Sequence, residues 1–265
     1  MLACSWEPRM RIGVAGIAGR MGRLLAAEVA RSGATLSGGT VRPGSAALPP
    51  GGVAVLADFE ALARVSDVVV DFTNAGTVQG HAAAIAATGT GWVLGTSGLS
   101  AADEATVAEA SRGAAVVHAP NFAPGVVLVL AMAERLAAAL PAAEYDAEIL
   151  EMHHRQKVDA PSGTALGLGR AVAAGRGVAL ADVMRTAREG QTGARREGEI
   201  GFAALRGGQV VGEHTVLFAG ASEHIALTHR AFDRGVFAGG AVRAAHWLGG
   251  REAGLYGMAD VLGLR

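Results

Sequence analysis

Lysine is almost missing from this chain: of 23 cationic side chains, all but Lys157 are arginine. Cysteine is equally scarce, and the solitary Cys4 excludes an intrachain disulfide and any zinc site built on thiolates. That usage fits a reducing compartment, so a cytoplasmic protein is expected. Aromatic residues make up only 5 %, which leaves the core to Ala, Val, Leu and Gly. Charge is thin as well, at 18 % of residues with a formal net charge of -1. No cationic excess invites nucleic acid or an anionic membrane, and neither is expected as a partner. The most apolar run, GVVLVLAMAERLAAAL, is cut by Glu134 and Arg135, and the opening MLACSWEPRM has Glu7 and Pro8 where an export signal would be apolar. Neither a transmembrane span nor an export signal is expected.

What is present is enough for two cores: 265 residues with 51 % hydrophobic content, a composition that argues against disorder. From Arg11 onward, short β-rich runs alternate with Ala-rich helical ones. RIGVAG, ATLSGGTV, DVVVDFT, GWVLGTS and AAVVHAP read as strands; GRLLAAEVARSG, TVQGHAAAIAATG and AADEATVAEASRG read as helices. Continuous Val-rich strands between amphipathic helices indicate a doubly wound parallel sheet covered on both faces.

The rhythm changes at APNFAPG, residues 119–125, whose prolines and glycine suit a hinge. A helix to about Leu140, a strand in EYDAEILEM and a helix over about 162–174 follow. EIGFAALRG, QVVGEHTVLFAG and EHIALTHRAF then read as consecutive antiparallel strands, and FAGGAVRAAHWLGG returns to helix.

Two segments carry chemistry. In GVAGIAGRMGRLL, Gly16, Gly19 and Gly22 follow the first strand and open the first helix. Such a loop makes a tight turn, lets the backbone approach a pyrophosphate and offers helix N-terminal amides to it. The spacing departs from G-x-G-x-x-G, with Ala18 and Met21 at glycine positions, but strand before and helix after point to dinucleotide binding. After the second strand stand Val41 and Arg42 rather than a carboxylate. An arginine there can pair with a 2′-phosphate, so NADPH is expected to be preferred, with NADH as the alternative.

The other segment is EMHHRQKVDAPSGTAL, residues 151–166. His153 and His154 precede Lys157, and Pro161, Ser162, Gly163 and Thr164 read as a helix start that can receive an anion. Adjacent histidines at a strand end point apart, and the remaining histidines complete no ligand spacing, so no metal is expected. Acid–base work fits better: an imidazole or an ammonium can give up a proton, whereas a guanidinium stays protonated. His81, His118 and His246, taken singly, read as hydrogen-bonded or surface residues.

GIAGRMG, DFT, GTSG, APNF, HHRQKVDAPSGTAL, GEHTV and YGMADVL run in that order across almost the whole chain, and together they resemble the 4-hydroxy-tetrahydrodipicolinate reductase family. The glycine loop is generic; the histidine-lysine segment is specific to that family. The resemblance implies an α/β fold: a Rossmann-type domain of residues 1–122 plus 235–265, with an inserted α+β substrate-binding and oligomerisation domain of residues 123–234. It also implies reduction of a cyclic dicarboxylate by NAD(P)H to tetrahydrodipicolinate, on the diaminopimelate and lysine pathway, by a homotetramer. On this likeness His153 donates or accepts a proton, Lys157 donates one, and His154, Gly163 and Thr164 hold the substrate. The cofactor would meet Gly16, Ile17, Ala18, Gly19, Arg20, Met21, Arg42, Gly95, Thr96, Ser97, Ala119, Pro120, Asn121 and Phe122. Two other readings are a related NAD(P)-dependent dehydrogenase of amino or keto acids and an inactive NAD(P)-sensing protein; intact His153, His154 and Lys157 argue against the latter.

Overall fold

The computed structural model describes residues 9–264, so Cys4, Glu7 and Pro8 lie outside the described residues. The chain divides into two compact units, one drawn from Met1–Ala123 and Gly235–Arg265, the other from Pro124–Arg234.

The first unit opens with β1 (Arg11–Ala15), α1 (Arg20–Arg31) and β2 (Thr35–Gly39). It continues through α2 (Phe59–Arg64), β3 (Val68–Asp71), α3 (Val78–Thr88), β4 (Gly91–Leu94), α4 (Ala101–Ala110) and β5 (Ala115–His118). Every neighbouring pair in this sheet is parallel. The strands are short and apolar because both faces are covered: all four residues of β3 are buried. On one face Val69, Trp92, Leu94 and Val116 meet Phe59 and Leu62 of α2, Ile85 of α3 and Val107 of α4. β1 pairs with β2 on one side and β3 on the other. The chain therefore leaves in opposite directions around β1, and the crevice at such a switch point opens at the strands' carboxyl ends, where the glycine loop begins.

The second unit contains α5 (Pro124–Ala139), β6 (Asp146–His153), α6 (Gly163–Gly175), α7 (Leu180–Val183), β7 (Met184–Arg185), β8 (Ile200–Arg206), β9 (Gly212–Ala219) and β10 (His224–Ala231). Its sheet has the order β10-β9-β6-β8-β7. This corrects one expectation. β9 and β10 form the expected antiparallel hairpin, but β8 is not hydrogen-bonded to β9, because β6 lies between them. β6 runs parallel to β8, as a helical crossover through α6 requires, and antiparallel to β9. The connection over residues 207–211 then has to cross two strand spacings, about 10 Å, which five residues of about 3.3 Å each span easily. Burial alternates along β6, so Ala147, Ile149, Glu151 and His153 face the helical side. There Ile149, Val216 and Phe218 pack with Leu168 and Val172 of α6 and Ala133 of α5.

The chain returns to the first unit with α8 (Gly235–Leu248), which packs beside α1 on the other face of the parallel sheet. β11 (Gly254–Tyr256) then pairs with β5, completing the order β11-β5-β4-β3-β1-β2, and α9 (Met258–Val261) follows. Among the described residues no helix is long and apolar enough to cross a membrane, and no group of three or more His, Cys, Asp or Glu is arranged to hold a metal ion.

Candidate active site

In the first unit one candidate site begins with the turn between β1 and α1. Gly16 has a φ of 69°, a left-handed conformation that glycine adopts without penalty. Thr40 Oγ1 accepts the Gly16 amide at 3.3 Å and Thr40 O accepts the Ile17 amide at 2.9 Å. A side chain on Gly22 would overlap the Gly16 carbonyl oxygen and put its Cβ 2.6 Å from Ile17 Cα. This glycine is therefore what lets α1 approach the loop. Gly19 caps α1 without any side-chain hydrogen bond, and no acidic residue occupies the first turn. The helix start is thus chemically open to an anion.

The other residues expected to meet a cofactor lie at neighbouring strand ends. Ile17 and Ala18 have buried side chains, so only their backbone remains for a ligand, whereas Gly19, Arg20 and Arg42 are exposed. Thr96, beyond β4, is 4 % exposed, and its Oγ1 has no hydrogen-bond partner among the described residues. Leaving a buried hydroxyl unpaired costs about 1–3 kcal/mol, which a ligand's polar group would relieve. Gly95 donates its amide to Asp71 O at 2.9 Å, Ser97 is exposed, and Asn121 Oδ1 accepts the Ala123 amide at 2.8 Å. Ala119 is buried and Pro120 exposed; the Phe122 ring is buried 5.3 Å from that of Phe72. His81, read as a hydrogen-bonded residue, places Nδ1 2.7 Å from the wholly buried Asp71 carboxylate and stacks on Phe59. The open helix start, the exposed Arg42 and the unpaired Thr96 hydroxyl fit a dinucleotide.

In the second unit a separate candidate site grows from the end of β6. Glu151 and His153 are two residues apart on one strand and so share its inward face. His153 Nδ1 lies 2.6 Å from Glu151 Oε2. Arg206, which ends β8 in register with His153, grips both carboxylate oxygens, at 2.8 Å from Nη1 and 2.9 Å from Nη2. The Ser162 amide adds a fourth donor, to Oε1 at 3.1 Å. Ser162 is the N-cap of α6: its Oγ accepts from the Ala165 amide at 3.2 Å and lies 3.1 Å from His214 Nε2. One buried carboxylate thereby ties the end of β6, the end of β8 and the start of α6 together.

Between β6 and α6 the chain makes a tight turn. The Lys157 amide donates to His154 O at 3.1 Å, and the Lys157 ammonium meets Asp159 Oδ1 at 2.9 Å. Arg206 Nη2 donates to Asp159 O at 2.7 Å and so anchors the same loop. Pro161, expected to open the helix, instead precedes the cap in a cis peptide bond with Ala160, and α6 begins at Gly163. His154 is half-buried with Nδ1 unpartnered, Gly163 is exposed, and Thr164 lies in the first turn of α6. The structure thus gathers His153, His154, Lys157, Gly163 and Thr164 along one strand end, turn and helix start.

Burial dominates the charge states of the two histidines here. It pushes His153 below its ordinary value, the Glu151 hydrogen bond opposes this, and the Lys157 and Arg206 charges add to it. His214 is pushed down to about 4 by burial, with the neighbouring His153 adding to the effect. Burial alone would raise Glu151, but Arg206, His153 and the Ser162 amide together hold it below the usual carboxylate range. A dissociated Glu151 beside a neutral His153 follows.

Glu151, Arg206 and His214 belong to this cluster but were not singled out from the sequence. The signal for Glu151 was available: in a strand, E-x-H places both side chains on one face. Arg206 and His214 arrive through strand pairings that no local pattern announces.

Both halves of the chain match one family: "Dihydrodipicolinate reductase, N-terminus" over residues 10–122 and "Dihydrodipicolinate reductase, C-terminus" over residues 125–262. The chain is similar to the 4-hydroxy-tetrahydrodipicolinate reductase of Granulibacter bethesdensis, at 63 % identity over 98 % of this chain and 100 % of that one. It is 60 % identical to that of Gluconacetobacter diazotrophicus, over 96 % and 98 %. Among solved structures it is similar to dipicolinate-bound dihydrodipicolinate reductase from Paenisporosarcina sp. TG-14, with a TM-score of 0.76 at 25 % identity, covering 95 % of this chain and 98 % of that one. The parallel glycine-loop unit, the histidine-lysine unit and near-full-length identities of this size leave one assignment: the chain belongs to the dihydrodipicolinate reductase family, the nicotinamide-dependent 4-hydroxy-tetrahydrodipicolinate reductases of lysine and diaminopimelate biosynthesis.

Proposed function

We propose that in this reductase His153 and Lys157 handle the proton of the reduction, while His154, Gly163 and Thr164 hold a dicarboxylate substrate. The observation that carries this reading is the state of His153: a buried imidazole whose Nδ1 is engaged by a carboxylate, while Nε2 makes no hydrogen bond within the described residues. When bound, the reduced nicotinamide supplies the hydride. Hydride arrival on the unsaturated ring leaves electron density conjugated toward the ring nitrogen, so a neighbouring carbon must gain a proton. The Lys157 ammonium can donate it, and His153 can take and return a proton at Nε2. A positioned acid contributes about 10²- to 10⁴-fold. Donors at His154, Lys157 and the start of α6 suit two carboxylates.

The cofactor is assigned to Gly16, Ile17, Ala18, Gly19, Arg20, Met21, Arg42, Gly95, Thr96, Ser97, Ala119, Pro120, Asn121 and Phe122. Residues 1–122 plus 235–265 act as the dinucleotide-binding domain, and residues 123–234 as the substrate-binding and oligomerisation domain. NADPH is preferred, because the exposed Arg42 can pair with a 2′-phosphate and Val41 offers no carboxylate to a ribose. The enzyme works in the cytoplasm as a homotetramer.

A coupled assay with synthase-generated substrate tests the reading. Lys157→Ala is expected to lose most of kcat while still binding NADPH by fluorescence titration, and near-normal turnover would refute the donor assignment. Arg42→Ala is expected to raise KM for NADPH about tenfold and leave that for NADH within twofold; equal effects on both would remove the 2′-phosphate assignment.

A further inference from the structure

We propose that Glu151, clamped by Arg206, is a positioning residue that keeps the proton of neutral His153 on Nδ1 and thereby leaves Nε2 as the atom that exchanges protons. The proposal rests on the reading that His153 handles a proton. Geometry carries it. Glu151 is 1 % exposed, and its two oxygens meet four donor groups or contacts: Oε1 the Ser162 amide and Arg206 Nη2, Oε2 the His153 ring and Arg206 Nη1. A dissociated carboxylate accepts only, so a ring nitrogen 2.6 Å from it must carry hydrogen. His153 then has its lone pair on Nε2 when neutral and a second proton there when charged. Gly212 of β9 keeps that nitrogen uncrowded, since a Cβ at this position would lie 3.0 Å from Nε2.

Arg206 supports the arrangement twice. Its fork keeps the buried carboxylate charged, and its bond to Asp159 O holds the loop carrying Lys157. The groups facing His153 are Glu151 on its own strand, Arg206 from β8, Lys157 with Asp159 from the turn, and His214 from β9, whose ring centre is 5.0 Å away; His229 of β10 acts on His214. Among the described residues Glu151 is the one carboxylate hydrogen-bonded to the ring. Changing it to an amide sets an oxygen toward the Ser162 amide and Arg206 Nη2 and an NH₂ toward His153 and Arg206 Nη1, which displaces that arginine nitrogen and would push the ring's hydrogen to Nε2. Loss of such an orienting partner costs from about 10–100-fold to about 10⁴-fold elsewhere.

The test combines ¹⁵N-histidine NMR of the whole enzyme with kinetics. In the wild type at pH 7.5, His153 is expected as the Nδ1–H tautomer, and in Glu151→Gln as Nε2–H. That variant should lose about 10²-fold or more in kcat, keep KM within about threefold and bind NADPH normally. Arg206→Gln should move the acid limb of the kcat/KM profile upward, because it removes a positive charge that helps hold His153 below its ordinary value. A wild-type Nε2–H tautomer overturns the proposal without any variant having to fold. So does a Glu151→Gln enzyme within threefold of wild-type kcat while His153→Asn is inactive. If His153→Asn keeps its turnover, the underlying reading fails whichever tautomer is found.

Discussion

At position 157 the chemical difference between lysine and arginine outweighs their shared charge. Lys157→Arg keeps a cation beside Asp159 but replaces an ammonium, which can donate a proton, with a guanidinium, which keeps its own. We expect kcat to fall about 10²- to 10⁴-fold with KM for the dicarboxylate changed only a few-fold, measured in the coupled assay. A larger change in KM than in kcat would make Lys157 a binding residue instead. His214 yields a prediction in pH. Its folded value of about 4 lies below the roughly 6.5 of an unfolded histidine. Between those values the unfolded chain binds more protons than the folded one. This contribution to stability is therefore complete above about pH 6.5 and is lost as pH falls toward 4, amounting to at most roughly 3 kcal/mol. Urea midpoints between pH 7 and 4.5 should fall less steeply for His214→Gln than for the wild type; parallel slopes would show that burial does not keep this ring neutral. At this scale the sequence exposed residues whose type is unusual, such as a lone lysine and paired histidines. It hid Arg206, an arginine among many, whose partner is 55 positions away.

Elements are placed by positions where no side chain fits. Gly22 of α1 lies against the Gly16 carbonyl, and Gly240 of α8 against the Phe122 carbonyl, which a Cβ would overlap. Alanine at either position would gain about 1 kcal/mol of helix propensity. Both obstacles are backbone atoms, however, and cannot rotate away, and overpacking of that kind costs about 1–3 kcal/mol or more. Gly22→Ala and Gly240→Ala should each lower the urea midpoint; a rise would mean that the helices shift without penalty. The parallel sheet was legible because strands such as β3 and β5 carry consecutive valines and its first turn carries glycines with a purpose. β11 was not, since the three residues of Gly254–Tyr256 are too few to show a period. The insertion of β6 between β8 and β9 escaped for a different reason: strand order depends on the crossover through α6, and local periodicity carries no record of it.

For the molecule as a whole, the sheet of the second unit raises the question of its outward face. α5 and α6 cover the side bearing Ile149 and Val216, whereas the alternate residues of β6 and β8 point the other way. At one end of that face Glu148 is held by Arg188 and Arg195 through ion pairs of 2.8 and 2.9 Å. Farther along, Leu150 lies opposite Ala203 and Met152 opposite Leu205, with Leu150 and Leu205 44 % and 49 % exposed. An apolar stripe on a broad, regular sheet suits a self-complementary contact between copies, in keeping with the homotetramer proposed above. A charge placed in the centre of such a contact is desolvated without a partner, while on a free surface it changes stability by only about 0.5 kcal/mol. Leu205→Glu is therefore expected to shift sedimentation at micromolar concentration from tetramer toward smaller species, with the far-ultraviolet circular dichroism spectrum unchanged. An unaltered tetramer would move the contact to another surface. A monomeric wild type would remove the reason for the stripe altogether.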